Sequence, residues 1–375
     1  MPQTRRGFVG SVVGSAAMLP FVQARGLEGR WADPRGALDA NGVIRLNSNE
    51  NPYGPARTAL DAITRAFTDA NRYTGSNDAA LKASIAMRHG VKEEQVLLGA
   101  GSGEILRIVC EALTSPAAHL VAAAPTFEQP AAHMARLGRR VDAPRVTAQL
   151  ALDLDAMEAA SPGAGVVFLC NPNNPTGTAY PVSDVLAFIE RVHRRNPSCT
   201  VLVDEAYFEY CDLPGYGTAI PAALANPRII VARTFSKVFG LAGMRVGYAI
   251  AHADTIKQLE PWRLQNSISA LSSAAAAASC DLGDHIREQQ RLNQEARRFT
   301  LQALGDAGFR ARPTYTNFVM TDIGRDAKAF QAACLAKGVA IGRPFPPLDT
   351  HARISVGTMD EMRRAMPIIV GLLKA

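Results

Sequence analysis

A lysine with polar neighbours lies directly after an apolar run in the middle of the chain. The run at 229–232 predicts a buried strand, and the segment Arg-Thr-Phe-Ser-Lys-Val-Phe-Gly-Leu-Ala-Gly-Met-Arg follows it at 233–245. Ligands of open α/β sheets bind outside the carboxyl ends of the strands. Burial and neighbouring positive charge both favour the neutral amine, the form that attacks carbonyl groups, so Lys237 is a candidate reactive amine. The groups placed to hold an anion beside it are Thr234, Ser236 and Arg245.

Four other apolar runs also end in polar or glycine-rich loops. They predict strands at 95–98, 120–123, 166–170 and 200–203. The loops after them are Gly99-Ala-Gly-Ser-Gly103, Pro125-Thr-Phe-Glu128, Asn171-Pro-Asn-Asn-Pro-Thr-Gly177 and Asp204-Glu-Ala-Tyr207. Non-alternating strands separated by helical stretches are typical of a mostly parallel sheet that helices cover on both faces. We therefore predict an α/β fold in which five loops meet at one edge of the sheet.

Each motif taken alone also has an ordinary structural explanation. Residues 101–103 (Gly-Ser-Gly) open a predicted helix and can present N–H groups to a phosphate, but the same residues suit a plain tight turn. Their spacing matches neither the dinucleotide fingerprint nor the Walker A loop. Asp204 could be a helix cap, and Asn174 could be turn chemistry. Four other residues also have a purely structural explanation: Phe127 could be a core residue, Arg353 a surface residue of a strand, and Tyr53 and Tyr73 ordinary residues of polar loops.

The motifs together resemble one protein family. The set resembles the fold-type I pyridoxal-phosphate (PLP) aminotransferases of class I and II, and it is similar to the histidinol-phosphate aminotransferase group. The shared motifs run in family order over nearly all of the chain after residue 45. They are Asn49-Glu-Asn-Pro-Tyr-Gly-Pro55, Asn174-Pro-Thr-Gly177, Asp204-Glu-Ala-Tyr207, Ser236-Lys237 with Arg245, and Arg353-Ile-Ser-Val-Gly-Thr358.

The resemblance implies how the catalytic groups treat the cofactor, pyridoxal 5'-phosphate. Lys237 would hold the cofactor covalently and move the proton from the donor carbon. Asp204 would pair with the pyridinium nitrogen, so that the ring stays able to accept electrons. Asn174 and Tyr207 would hold the ring hydroxyl, and Phe127 would stack on the ring. The cofactor phosphate would bind to Gly101, Ser102, Gly103, Thr234, Ser236 and Arg245, with Tyr73 reaching it across a homodimer interface.

The resemblance implies an α-carboxylate site but leaves the amino donor open. Arg353 would bind the carboxylate through bidentate hydrogen bonds from its guanidinium, while Asn49 and Tyr53 would lie on the substrate side. Histidinol-phosphate enzymes carry an arginine that meets the substrate phosphate near the place of Arg343. Gly342 and the Pro-Phe-Pro-Pro segment after Arg343 could redirect that side chain. Histidinol phosphate and aromatic amino acids therefore both remain candidate donors, with a 2-oxo acid as the acceptor.

Two other functions on the same cofactor remain open. A β-elimination or C–S lyase would use the same lysine and differ in the Cα bond that the pocket aligns. A non-catalytic PLP-binding regulator is disfavoured, because no helix-turn-helix extension or basic domain is attached. The net charge of +6 comes from scattered basic residues, so nucleic-acid binding gains little support.

The length of 375 residues suggests about two domains at roughly 150 residues each. We predict a large PLP-binding domain at 53–280 and a small α+β domain at 281–375, which the segment 25–52 joins. Alanine-rich residues predict a helix at 263–279, and a long charged helix follows at 281–304. The six cysteines form no CxxC pair or metal spacing, which indicates buried hydrophobes and leaves a disulfide open.

The first residues resemble an export signal. Thr4-Arg5-Arg6-Gly7-Phe8-Val9 leads into an apolar stretch at 8–22 that is shorter than the roughly 20 residues of a spanning helix. Residues 1–24 are therefore predicted to be a twin-arginine-like signal peptide, with the enzyme periplasmic or exported. The alternative is an uncleaved apolar arm on a cytoplasmic protein. No other stretch of the sequence is apolar and long enough to anchor the chain in a membrane.

Overall fold

A seven-stranded sheet forms the centre of the structure, a computed structural model that describes residues 42–309 and 311–375. The predicted signal at 1–24 lies outside these residues. The strands are β1 (Ile44–Leu46), β2 (Val96–Gly99), β3 (His119–Ala122), β4 (Val141–Asp142), β5 (Ala164–Cys170), β6 (Thr200–Asp204), β7 (Ile229–Thr234), β8 (Gly247–Ala251), β9 (Phe318–Asp322), β10 (Val339–Ile341) and β11 (His351–Ser355). The central sheet has the order β2-β8-β7-β6-β5-β3-β4, and only β8 runs antiparallel to its neighbours.

Helices cover both faces of this sheet, because its strands are apolar on both sides. Along β6, Val201 and Val203 belong to one buried cluster and Leu202 to the other. Such strands need cover on each face, which confirms the predicted α/β class. The helices are α1 (Arg57–Ala66), α2 (Gly75–His89), α3 (Ser102–Leu113), α4 (Gln129–Arg136), α5 (Leu154–Ala159), α6 (Val182–Arg195), α7 (Ile220–Ala225), α8 (Ala253–Leu259), α9 (Ala270–Ser279), α10 (Gly283–Asp306), α11 (Ala327–Ala336) and α12 (Met359–Lys374).

The strand register brings the predicted loops to one edge. Asp204 at the end of β6 lies beside Cys170 of β5 on one side and beside Ala232 of β7 on the other. Gly247, the first residue of β8, lies between Gly99 of β2 and Thr234 of β7. A Cβ at Gly247 would overlap the backbone nitrogen of Ser102, so the glycine lets α3 begin close to the sheet. The carboxyl ends of the parallel strands and the start of α3 therefore meet.

Smaller sheets lie outside the central one. β1 pairs with β10 in parallel, and β9 pairs with β11 antiparallel. A separate apolar core joins β1 to the C-terminal strands and helices. The predicted domain boundaries themselves stay predictions. All six cysteines are free, and no helix in the described part of the chain is long and apolar enough to cross a membrane.

The structure corrects part of the secondary-structure prediction. The helix predicted at 263–279 is wrong for its first part, since α9 begins only at Ala270. Asn266 has a left-handed backbone with φ of 56°, which a helix cannot contain. Ser269 then caps α9, because its side chain accepts a 3.1 Å hydrogen bond from the backbone nitrogen of Ser272. β8 was not predicted; it lies just after the lysine segment.

A buried ion pair locks the ends of β6 and β7 together. Arg233 Nη2 lies 2.6 Å from Glu205 Oε2, and both side chains are almost fully buried. Glu205 also accepts hydrogen bonds from Thr218 Oγ1 and from the backbone nitrogen of Ala219. Glu209 adds a second carboxylate at 3.3 Å from Arg233 Nη1. Asp204 and Thr234 are the sequence neighbours of this pair, so the pair fixes where two candidate site residues begin.

We expect Glu205→Ala to lower the free energy of unfolding by about 3 kcal/mol. The substitution removes one of the two carboxylates that balance the buried positive charge of Arg233. Urea unfolding followed by circular dichroism measures the change. Glu190→Ala, which removes an exposed carboxylate on α6, is the control and should stay within about 0.5 kcal/mol of the unmodified protein. Equal midpoints for the two variants would show that the buried pair does not stabilise the fold.

Candidate active site

A cavity of about 530 Å³ opens at the edge of the sheet where the loops meet. Most of the residues predicted from sequence line it, although they come from segments more than 300 positions apart. The predicted residues at its wall are Asn49, Ser102, Gly103, Phe127, Asn174, Asp204, Tyr207, Thr234, Ser236, Lys237, Arg245, Arg343 and Arg353. The structure therefore brings the candidate amine, the candidate carboxylate and the cationic groups into one space.

The amine of Lys237 is held without a carboxylate partner within 4 Å among the described residues. Its Nζ donates a 3.1 Å hydrogen bond to the backbone oxygen of Asn49 and lies 5.2 Å from the centre of the Tyr207 ring. Burial above all, and next the positive charge of Arg353, lower the pKa of Lys237 to about 8. A large neutral fraction near pH 8 suits an amine that must attack a carbonyl.

Asn49 connects the lysine to the C-terminal strands. Its backbone is left-handed, with φ of 54°, and Ser355 holds it through both its backbone nitrogen at 2.9 Å and its side-chain oxygen at 2.8 Å. Asn317 Nδ2 donates to the backbone oxygen of Asn49 at 3.0 Å, the same oxygen that Lys237 uses. Left-handed backbone at a non-glycine residue persists where the surroundings enforce it. This loop therefore sets the position of the amine.

Asp204 is a buried carboxyl group with little local compensation. Only 2% of the residue is exposed, and its Oδ1 accepts a 3.2 Å hydrogen bond from the backbone nitrogen of Ala206. Burial raises the pKa of Asp204 to about 7, against the opposing effects of that hydrogen bond and of Lys237. A cation at this place would restore the ionised form. The carboxyl group is therefore suited to pair with a protonated ring nitrogen.

Tyr207 and Asn174 face the cavity beside Arg353. The Tyr207 hydroxyl accepts a 3.1 Å hydrogen bond from Asn49 Nδ2, and burial raises the pKa of Tyr207 well above its ordinary value. Arg353 Nη1 donates to Asn174 Oδ1 at 2.7 Å, and Nη2 donates to the backbone oxygen of Asn47 at 2.9 Å. These contacts take the side-chain oxygen of Asn174, so only its amide nitrogen is left to donate to a ligand.

One corner of the cavity is built for an anion. Gly101 precedes α3 with φ of 80°, and no side chain of the described chain caps that helix. A Cβ at Gly101 would overlap the guanidinium of Arg245, which also lies 3.4 Å from Ser236 Oγ. Thr234 Oγ1 donates to Ser236 Oγ at 2.9 Å. Helix N–H groups, two hydroxyls and a guanidinium thus converge, which is the donor set that binds a phosphate.

These residues fit a phosphorylated pyridine aldehyde. The anion corner suits its phosphate, the buried carboxyl of Asp204 suits its ring nitrogen, and the amine of Lys237 suits its aldehyde carbon. Phe127 lines the same cavity and offers an aromatic face. The cavity thus offers one charged or reactive side chain for each of these three parts of the cofactor, so PLP is chemically compatible with the site.

Three predicted residues do not line the cavity: Gly101 is the sequence neighbour of Ser102 in its wall, whereas Tyr53 and Tyr73 lie elsewhere. Tyr53 lines a separate small crevice with Tyr210 and Gln289, so within one chain it does not reach the cavity. Tyr73 is 88% exposed and likewise does not line it. Sequence reasoning missed residues that do line it, above all Glu128 and Phe345. The only hint in the sequence was that each lies next to a predicted site residue. Glu128 follows Phe127, and Phe345 follows the Arg343-Pro pair.

This chain is similar to known aminotransferases in both sequence and structure. The family profile described as aminotransferase class I and II matches residues 41–369. A histidinol-phosphate aminotransferase of Bacillus subtilis (strain 168) is 35% identical over 336 residues, which is 88% of this chain and 92% of that protein.

Two crystal structures share the architecture. One, from Erwinia carotovora atroseptica SCRI1043 and provisionally described as a histidinol-phosphate aminotransferase, has a TM-score of 0.85 and 33% identity, covering 90% of this chain and 98% of its own. The other is histidinol-phosphate aminotransferase from Sinorhizobium meliloti in complex with pyridoxal-5'-phosphate. It has a TM-score of 0.80 and 27% identity, covering 95% of this chain and 96% of its own.

The lowered pKa of Lys237 predicts how its reactivity changes with pH. In the cofactor-free protein, labelling of Lys237 by acetic anhydride should rise through a midpoint near pH 8, because only the neutral amine reacts. Arg353→Gln should move the midpoint up, since it removes a positive charge, and Asp204→Asn should move it down, since it removes a negative one. Mass spectrometry of the labelled peptide gives the midpoint. A midpoint near 10.5 in all three proteins would contradict the assignment.

Proposed function

Because the chain belongs to the class I and II aminotransferases, we propose that its amino donor is histidinol phosphate or an aromatic amino acid. The enzyme is PLP-dependent and moves an amino group from that donor to a 2-oxo acid. The observation that carries the proposal is the convergence of Lys237, Asp204 and Arg353 on one cavity. An amine, a carboxyl group and a guanidinium are the groups that a bound cofactor and an anionic donor require.

Each of these residues has a role that follows from its surroundings. When bound, PLP supplies a ring that accepts the electrons left behind at the donor carbon. Asp204 would hold the ring nitrogen, and its low exposure makes that pairing strong. Lys237 would hold the cofactor through Nζ and later move the donor proton. Its pKa of about 8 lets the amine both accept and return a proton near neutral pH.

Arg353 supports an anionic donor. The residue is only 7% exposed, and no carboxylate among the described residues lies within 4 Å of its guanidinium. Its Nε is buried without a hydrogen-bond partner among those residues. Burial lowers the pKa of Arg353 to about 10. A buried guanidinium without a counter-charge is costly, so a donor that brings an anion to it gains binding energy.

The alternative is a lyase that uses the same cofactor, and a half-reaction distinguishes it from a transaminase. We expect a single-turnover mixture of the enzyme with an aromatic amino acid or histidinol phosphate to convert bound PLP to its amine form. The conversion is read as loss of the visible cofactor band, with a 2-oxo acid formed from the amino acid or the corresponding phosphorylated ketone formed from histidinol phosphate. Alanine and glutamate are the comparison donors. Release of ammonia and pyruvate from cysteine, whose thiol can leave as sulfide, with the visible band retained, would contradict a transaminase.

A homodimer that shares its sites is part of the proposal. Tyr73 and Leu264 are 88% and 66% exposed, and Phe67 and Trp262 are also exposed apolar side chains. The two segments that carry them are tied by a hydrogen bond between Thr74 and Asn266. A cluster of exposed aromatic and aliphatic groups is typical of a surface that another protein covers. Tyr73 would then reach the cofactor phosphate of the partner's site.

Mixing two inactive variants tests the shared site. Lys237→Ala removes the amine of its own site, and Tyr73→Ala removes the group that reaches the partner's site. Mixed dimers should recover transaminase activity above either parent, because one of their two sites has both residues. Phe67→Ser is a control for the surface alone and should shift the sedimentation equilibrium toward monomer. A protein that is monomeric at micromolar concentration and fully active would refute the shared site.

A further inference from the structure

An ion pair stands at the rim of the cavity, next to the arginine that would hold the donor. Arg343 and Glu128 both line the cavity, and the Arg343 guanidinium contacts the Glu128 carboxylate. The two side chains are about half exposed, at 48% and 55%. They come from distant segments, since Glu128 precedes α4 and Arg343 follows β10. The pair therefore closes across the opening rather than within one element.

The Glu128 carboxylate does not cap the helix that it precedes. Glu128 is the residue that precedes α4, a position where a side-chain oxygen can cap the helix by accepting a backbone hydrogen bond. Here its side chain makes no such capping bond. Arg343 is held in place independently, because its Nη1 donates to the backbone oxygen of Pro344 at 2.8 Å. Its guanidinium also lies 4.3 Å from the centre of the Phe345 ring.

The same phenyl ring connects the two arginines. Arg353 lies 4.5 Å from the centre of the Phe345 ring, and the positive charge of Arg343 is one cause of the lowered pKa of Arg353. Gly342 also donates its backbone N–H to the backbone oxygen of Arg353 at 2.8 Å. The cavity therefore has two guanidinium groups near the donor, of which Glu128 neutralises one. Of these two, the guanidinium that stays without a carboxylate is the buried one of Arg353, whereas Arg245 lies in the anion corner.

We propose that Glu128 determines substrate specificity, so that the site prefers donors that bring one negative charge to the two arginines over donors that bring a phosphate monoester. The inference rests on the proposed transaminase function and decides between its two donor classes. A carboxylate carries one charge, which Arg353 balances alone. A phosphate monoester carries close to two at pH 7. It would need Arg343 as well, and taking Arg343 would leave the Glu128 carboxylate beside the phosphate.

The preferred donor is then an α-amino acid with an uncharged side chain. Arg353 keeps donors free for a bidentate grip on the α-carboxylate, because its contacts with Asn174 and Asn47 use only one N–H of each terminal nitrogen. Phe127, Ile341 and Phe345 supply apolar wall. An aromatic side chain fits such a wall, and the neutral rim pair offers no unpaired charge to an acidic one.

The test compares two donors across a set of variants. Relative to phenylalanine, the kcat/KM for histidinol phosphate should rise about fivefold in Glu128→Gln, a size expected for a half-exposed ion pair. Glu128→Asp keeps the charge and should retain the ratio of the unmodified enzyme. In an Arg343→Gln background, Glu128→Gln should raise the ratio less, because it relieves the repulsion between carboxylate and phosphate but releases no arginine. Glu50→Gln removes another negative charge from the cavity wall and should change the ratio less than about twofold.

A binding measurement gives a readout that does not depend on turnover. The dissociation constants of 3-phenylpropanoate and phenethyl phosphate are measured from the absorbance of the bound cofactor. Glu128→Gln should tighten the phosphate relative to the carboxylate by the same factor. An unchanged or lowered ratio in Glu128→Gln, or an equal rise in Glu50→Gln, would overturn the inference. If the unmodified enzyme converts no donor at all, the transaminase proposal fails with it; if it converts donors but the ratio ignores Glu128, only the inference fails.

Discussion

The structure depends on holding an amine and a carboxyl group out of water in the same cavity. Burial disfavours the charged form of each, which lowers the pKa of Lys237 to about 8 and raises that of Asp204 to about 7. Neither group is neutralised by a salt bridge within 4 Å among the described residues. Such groups are costly unless a ligand completes them. A cofactor with an aldehyde at one end and a basic ring nitrogen at the other is complementary to both.

The scaffold makes this arrangement rigid with ordinary structural interactions. The buried pair of Arg233 and Glu205 fixes the ends of two adjacent strands, one position away from Thr234 and Asp204. The left-handed turn at Asn49, held by Ser355, carries the backbone oxygen that receives the lysine amine. Residues near both termini thus control a group in the middle of the chain. The cavity exists only when the N-terminal and C-terminal segments have packed together.

The sequence predicted the site best where reactive or charged residues directly follow a strand. Five strand-end loops and their order predicted the sheet edge, and Lys237, Asp204 and Arg353 all line one cavity there. Antiparallel β8 was missed although its residues are apolar and buried, because they follow the lysine segment with no separate turn signal. The helix at 263–279 was overextended because alanine content outweighed the turn at Asn266. Glu128 and its pairing with Arg343 could not be predicted, since a contact between residues 215 positions apart leaves no local pattern.

We propose that Lys237 is the amine that carries the cofactor. Borohydride reduction of the PLP-loaded enzyme fixes the cofactor to whichever amine holds it, and tryptic digestion followed by mass spectrometry locates the added mass. We expect that mass on the peptide 234–245, which follows cleavage after Arg233. The added mass on a different lysine, or on none while the visible cofactor band persists, would contradict it.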